Sequence, residues 1–239
     1  MKKNLLVVVS LLLSAPAFAN PGDPELVNLI PSQVYMPTGF DHNDNSQVVI
    51  RGEFSNTCYK VGPTQVEVDP ASGKVSIKNQ AYFYGGCFCF YVLVPYDKVV
   101  DLGMLAPGDH ALSFSDDDGK TEVLGNISVA TAKPGAGPDD FLYLPASEMT
   151  VLKTPGQPQV ELRGEYTNTC MVHKETRIVR NRKDVVEILP VAEMLTRDDC
   201  QNARVPFVIK AQLPKDLKGK VLVHARALSG KSLNLLADF

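Results

Sequence analysis

The chain has 239 residues, with 24 basic against 27 acidic side chains and 44% hydrophobic residues. Ample apolar content with little net charge excludes a disordered polymer for most of the length. A formal charge of −3 argues against a dedicated nucleic-acid binder. The length suits one large domain or two small ones.

The first segment reads as an address. Met1-Lys2-Lys3 is followed by an apolar run from Leu5 to Leu13, broken only by Ser10, and then by Ala17-Phe18-Ala19. That is the pattern of a bacterial secretory signal peptide over residues 1–19, cut after Ala19. The alternative is a membrane anchor, but the run falls short of the roughly 20 residues that cross a bilayer. No transmembrane segment is expected, and the mature chain is expected to be exported, periplasmic or extracellular. Its 22 basic and 27 acidic residues give a formal charge of −5. Five cysteines remain, at 58, 87, 89, 170 and 200. In an oxidising compartment they read first as disulfides, and an odd count leaves one over.

The rest is one unit written twice. Arg51-Gly52-Glu53-Phe54-Ser55-Asn56-Thr57-Cys58 returns as Arg163-Gly164-Glu165-Tyr166-Thr167-Asn168-Thr169-Cys170, with six of eight positions identical. Downstream, Cys89 falls opposite Cys200, Val94-Pro95 opposite Val205-Pro206, and Gly119-Lys120 opposite Gly230-Lys231, at an offset of 111 or 112. Two related domains are expected, over 20–130 and 139–239. The Pro- and Gly-rich stretch 131–138 between them is expected to be an exposed linker.

Inside each unit the period is two. Val48, Ile50, Gly52 and Phe54 alternate with Val49, Arg51 and Glu53, and Val160, Leu162, Gly164 and Tyr166 alternate with Glu161, Arg163 and Glu165. That is the pattern of a strand with one buried face. Turn signals such as Asp116-Asp117-Asp118-Gly119 and Ser229-Gly230 punctuate further strand candidates. A short helical turn is expected only at 190–197, with Pro190 at its start. About seven short strands per 100 residues give an all-β fold, a sandwich in each unit. Each unit resembles a bacterial immunoglobulin-like or fibronectin-type-III-like module. The early strand ending in Cys58 or Cys170 and the late pattern Leu102–Leu105–Gly108–His110–Leu112–Phe114 carry the likeness. The resemblance implies two tandem immunoglobulin-like β-sandwich domains and a fold rather than an activity. The chain has no Trp, so it lacks the tryptophan-on-disulfide core of antibody domains.

The repeat offset pairs Cys58 with Cys89 and Cys170 with Cys200, each closing a loop of about 30 residues worth roughly 3–4 kcal/mol on the chain-entropy model. Cys87 is then the free thiol, and its exchange with Cys89 as the partner of Cys58 stays open. Cys87 and Cys89 have neither the spacing of a zinc pair nor a suitable His beside them. The four histidines, at 42, 110, 173 and 224, accompany no nucleophile motif. Asp116–Asp118 and the series Asp41, Asn43, Asn45 carry oxygen donors of the kind calcium takes, but neither continues as a calcium loop. No cofactor and no metal are expected. The Arg-Gly-Glu triplets are read as strand residues, with Gly52 and Gly164 facing inward for packing.

Charge is uneven. From 25 to 130 there are 6 basic and 13 acidic residues, a net of −7, and from 139 to 239 there are 15 basic and 13 acidic, a net of +2. Much of the difference lies in the run 173–183, where strict alternation puts Lys174, Arg180 and Arg182 on one face, a candidate anion-binding surface. The plainer reading is a solvated edge strand. These features point to an exported, non-enzymatic binding or structural protein of the bacterial envelope that acts by surface recognition, with an envelope protein or an anionic glycan as partner. The alternative is a periplasmic assembly chaperone with two immunoglobulin-like domains, which would expose an alternating hydrophobic edge strand.

Overall fold

Where apolar residues alternate, strands form, and the computed structural model describes them over residues 22–86, 88–133, 139–153 and 157–239. The signal segment, Cys87 and residues 134–138 of the expected linker lie outside the described residues. The first half contains β1 (Glu25–Asn28), β2 (Gln33–Tyr35), β3 (Phe40–Asp41), β4 (Ser46–Phe54), β5 (Tyr59–Val68), β6 (Val75–Phe83), β7 (Val94–Gly103), β8 (Gly108–Ser115) and β9 (Thr121–Ala130). The second contains β10 (Ala146–Leu152), β11 (Gln159–Asn168), β12 (Met171–Arg182), β13 (Val185–Met194), β14 (Asn202–Gln212), β15 (Lys220–Ala227) and β16 (Lys231–Asp238). Sheet I has the order β1-β6-β8-β9-β3, with β5 also on β6, and sheet II is β2-β4-β7. Sheet III is β12-β13-β15-β16 and sheet IV is β10-β11-β14. The fold is all-β.

One expectation fails. The stretch from Pro190 to Met194 is the end of β13, not a helical turn. Pro190 faces Thr176 of β12, and on its other side its carbonyl accepts the Leu144 N–H at 2.9 Å while the Leu144 carbonyl is taken by the Leu228 N–H at 3.1 Å, so the N–H that proline lacks leaves no acceptor unmet.

The repeat is visible in the pairing. The three-stranded sheets II and IV correspond, as do β5-β6-β8-β9 and β12-β13-β15-β16. Val75 pairs with Leu112 and Ile77 with Phe114 in the first half; 111 residues on, Val186 pairs with Val223 and Ile188 with Ala225. Both ladders are parallel. After β6 the chain crosses to sheet II as β7 and returns as β8, two reversals that leave β8 running with β6. An immunoglobulin sandwich has two antiparallel sheets, so the wiring here departs from that resemblance.

Each half buries a core between its two sheets. Val48, Ile50, Val100 and Leu102 of sheet II meet Val75, Ile77, Leu112, Phe114 and Ile127 of sheet I. Val160, Leu162 and Phe207 of sheet IV meet Val186, Ile188, Val221, Val223 and Ala225 of sheet III. Gly52 and Gly164 sit opposite aromatic rings, Tyr96 and Phe207 respectively. A Cβ on Gly52 would stand 2.4 Å from the Tyr96 ring, and one on Gly164 would stand 2.3 Å from the Pro145 carbonyl oxygen and 2.8 Å from the Phe207 ring. The Tyr96 ring cannot swing away easily. It stacks on Phe54 at 4.4 Å and its hydroxyl accepts a 2.8 Å bond from Asn79.

The outer faces of sheets II and III meet. Tyr35 and Val49 pack against Val185, Leu222 and Leu236. Beside this apolar contact lies a buried polar one. Arg226 pairs with Asp44 at 2.9 Å, donates to the Gly39 carbonyl at 2.7 Å and lies over the Phe40 ring at 4.6 Å. Glu187 accepts a 2.6 Å bond from the Thr38 backbone N–H and a second from its hydroxyl. Burial pushes the Glu187 carboxyl up, against the pull of those two bonds. His224 is fully buried, donates from Nδ1 to Asn234 Oδ1 at 2.8 Å and leaves Nε2 without a partner among the described residues. Burial, with Arg226 nearby, pushes its pKa down to about 4.

Two outcomes follow. Gly164→Ala lowers stability by about 1–3 kcal/mol and Gly52→Ala by less, because Gly164 meets backbone; denaturant midpoints check both. His224 stays neutral in the fold but protonates near its ordinary value when unfolded. Its contribution is therefore whole above about pH 6.5 and is lost as pH falls toward about 4, by about 1.4 kcal/mol for each unit of difference. Glu187, raised, acts with the opposite sign at the acid end. Denaturant melts across that window show the loss, and His224→Gln flattens it.

Candidate functional site: a clamped apolar loop

The repeated octapeptide builds the same clamp twice. Asn56 Oδ1 accepts the Cys58 N–H at 2.9 Å, and Asn168 Oδ1 accepts the Cys170 N–H at 2.7 Å, each a local turn made by an Asn side chain. Thr57 gives its N–H to the Phe90 carbonyl at 3.1 Å and takes the Phe90 N–H on its hydroxyl at 3.0 Å. Thr169 does the same with Gln201, at 2.9 and 3.0 Å. The Cys58 carbonyl accepts from Tyr84 at 3.0 Å, and the Cys170 carbonyl from Leu195 at 2.9 Å. Disulfides Cys58–Cys89 and Cys170–Cys200 close the two clamps, each with Cα atoms 5.4 Å apart. Asn, Thr and Cys recur together because each fixes a different point of one loop.

What the clamps hold differs. At a constant offset, Phe88-Cys89-Phe90-Tyr91-Val92-Leu93 corresponds to Asp199-Cys200-Gln201-Asn202-Ala203-Arg204. In the second half, Arg197 and Asp199 form an ion pair at 2.6 Å, and Asn202 joins the ladder opposite Asn168. In the first half, β7 starts only at Val94, and the residues before it stand out as an apolar knob. Phe88 is 83% and Tyr91 88% exposed, Phe90, Val92 and Leu93 are more than half exposed, and the Phe88 and Phe90 rings meet edge to face at 5.2 Å. Such a cluster of exposed apolar side chains is costly in water. The run Phe-Cys-Phe-Tyr-Val-Leu, set against its polar repeat partner, is the sequence signal that locates it.

The basic run is placed otherwise than strict alternation implies. Register shifts between His173 and Glu175 and between Val179 and Arg182 break the period along β12. Each of the three candidate cations has a carboxylate: Lys174 has Glu193 at 3.5 Å, Arg180 has Asp216 at 2.7 Å, and Arg182 has Asp184 at 3.5 Å. Arg51 and Arg163 of the triplets pair with Asp97 and Glu161. Asp116 closes its own turn by accepting the Lys120 N–H at 2.9 Å, and Asp117 accepts the Asn28 N–H at 2.8 Å. His110 holds the Gly73 and Ala106 carbonyls, both at 2.7 Å.

Removing the first clamp's disulfide, as Cys58→Ser with Cys89→Ser, lowers stability by about 2–5 kcal/mol. Thr57→Val keeps the shape, loses the hydroxyl that receives the Phe90 N–H, and costs about 1 kcal/mol. The intact mass of the unreduced mature chain is expected to show two bridges and one thiol.

Comparison with known proteins gives one family match, to the model described as the ORF11 beta-sandwich domain, over residues 48–124. That segment runs from β4 into β9 and contains the whole of the first clamp and its knob. Neither the curated proteins nor the solved structures give a match.

Proposed function

We propose that this is an exported, non-enzymatic recognition protein of the bacterial envelope, built from two tandem sandwich domains, and that the knob at 88–93 is its contact surface. One observation carries the reading: a clamped loop holds five large apolar side chains in water, while the same loop in the second half is polar. Three aromatic side chains at about 150–250 Å² each, with Val92 and Leu93, bring the knob near the roughly 800 Å² per partner of a standard protein interface. The clamp fixes the knob before contact, which lowers the entropy cost of binding. The two disulfides fit an oxidising compartment, in line with the signal peptide expected over residues 1–19.

The chaperone reading draws less support, because the most exposed apolar side chains lie on a loop rather than along an edge strand. An anionic-glycan partner at the basic run is weakened by the carboxylate beside each of its three cations.

The test is binding of the mature, oxidised protein to envelope fractions. Phe88→Ser with Tyr91→Ser is expected to lower binding at least tenfold (about 1.4 kcal/mol), while Arg180→Glu leaves it unchanged. The reverse pattern would move the contact surface to the basic run.

A further inference from the structure

The second half carries a groove with both apolar and charged lining. The groove, of about 640 Å³, lies over sheet IV beside the register shift between Ala146 and Glu148 in the β10–β11 ladder. Tyr166, Pro206 and Val208 supply apolar lining, and Arg163, Arg204 and Lys231 supply cations against Glu148 and Glu165. A space of that size takes two or three large side chains. Val208 is 55% exposed, and the Arg204 side chain 86%, with Glu165 3.6 Å away. Arg204 corresponds in the repeat to Leu93 of the knob, so one repeat position carries a knob side chain in one half and lines the groove in the other.

Building on the recognition reading above, we propose that the occupant of the groove is the knob of a second copy of this chain, giving a head-to-tail contact. Charge favours it. The half that carries the knob has a net charge of −7, and the half that carries the groove has +2. Knob against knob would bring two acidic halves together, and an anionic lipid surface would repel the same half. A contact between unlike surfaces closes a ring or runs on as a filament, according to the rotation it imposes.

Sedimentation velocity of the mature, oxidised protein at rising concentration tests the pairing. The wild type passes from monomer to larger species. Phe88→Ser with Tyr91→Ser (knob) and Arg204→Glu (groove) each weaken association at least tenfold, with circular dichroism and melting unchanged because all three side chains are exposed. Mixing the two variants restores a dimer, since one keeps its groove and the other its knob. A wild type that stays monomeric at every concentration overturns the proposal. So does either variant associating as the wild type does, or a mixture that stays monomeric. Knob-dependent binding to envelope fractions without self-association would overturn the pairing and leave the recognition reading standing. Self-association that depends on both surfaces, with envelope binding unmoved by the knob variant, would do the opposite.

Discussion

Two central strands, β4 of sheet II and β15 of sheet III, are covered on both faces, and the joint between the halves depends on that constraint. A sheet must cover its apolar side, and a sandwich does so by pairing two sheets and leaving two outer faces wet. Here sheets II and III also cover each other. Val48 and Ile50 look into the first core while Val49 between them packs on the second half. Val221 and Val223 look into the second core while Leu222 packs on the first half. The buried pair Asp44–Arg226 fixes how the two faces lie, because either charge alone would be stranded away from water.

The duplication kept what holds the unit together and let go of what the unit presents. The Asn-Thr-Cys clamp, the glycine under an aromatic ring and the parallel ladder recur in both halves. Phe88 and Asp199 hold equivalent places and have opposite chemistry. Hydrogen bonds made by backbone and by small side chains do not depend on the loop's other residues, so those residues were free to change.

Much of this was legible in the sequence. Strict alternation identified β4 and β11, and the fixed offset placed the cysteines that the structure joins. The joint between the halves was missed, though a signal was present. Val48-Val49-Ile50 and Val221-Leu222-Val223 are unbroken apolar runs, the mark of strands covered on both sides. The turn expected at 190–197 failed because Pro190 reads as a helix start locally, while its neighbours in β12 hold it extended. Along the basic run the period of two is interrupted by register shifts that local sequence does not announce. The contrast between Phe88 to Leu93 and its polar repeat partner was present in the sequence but not read, since nothing in an apolar run says that it stays outside the core.

The two bridges also set how the chain yields to force. Cys58–Cys89 spans 31 residues and Cys170–Cys200 spans 30. When the ends of the oxidised chain are drawn apart, those segments stay closed even after every strand has come out. At about 3.4 Å for each extended residue they withhold roughly 200 Å of length. A tether made of this protein would therefore reach roughly 200 Å further at full extension once reduced than when oxidised.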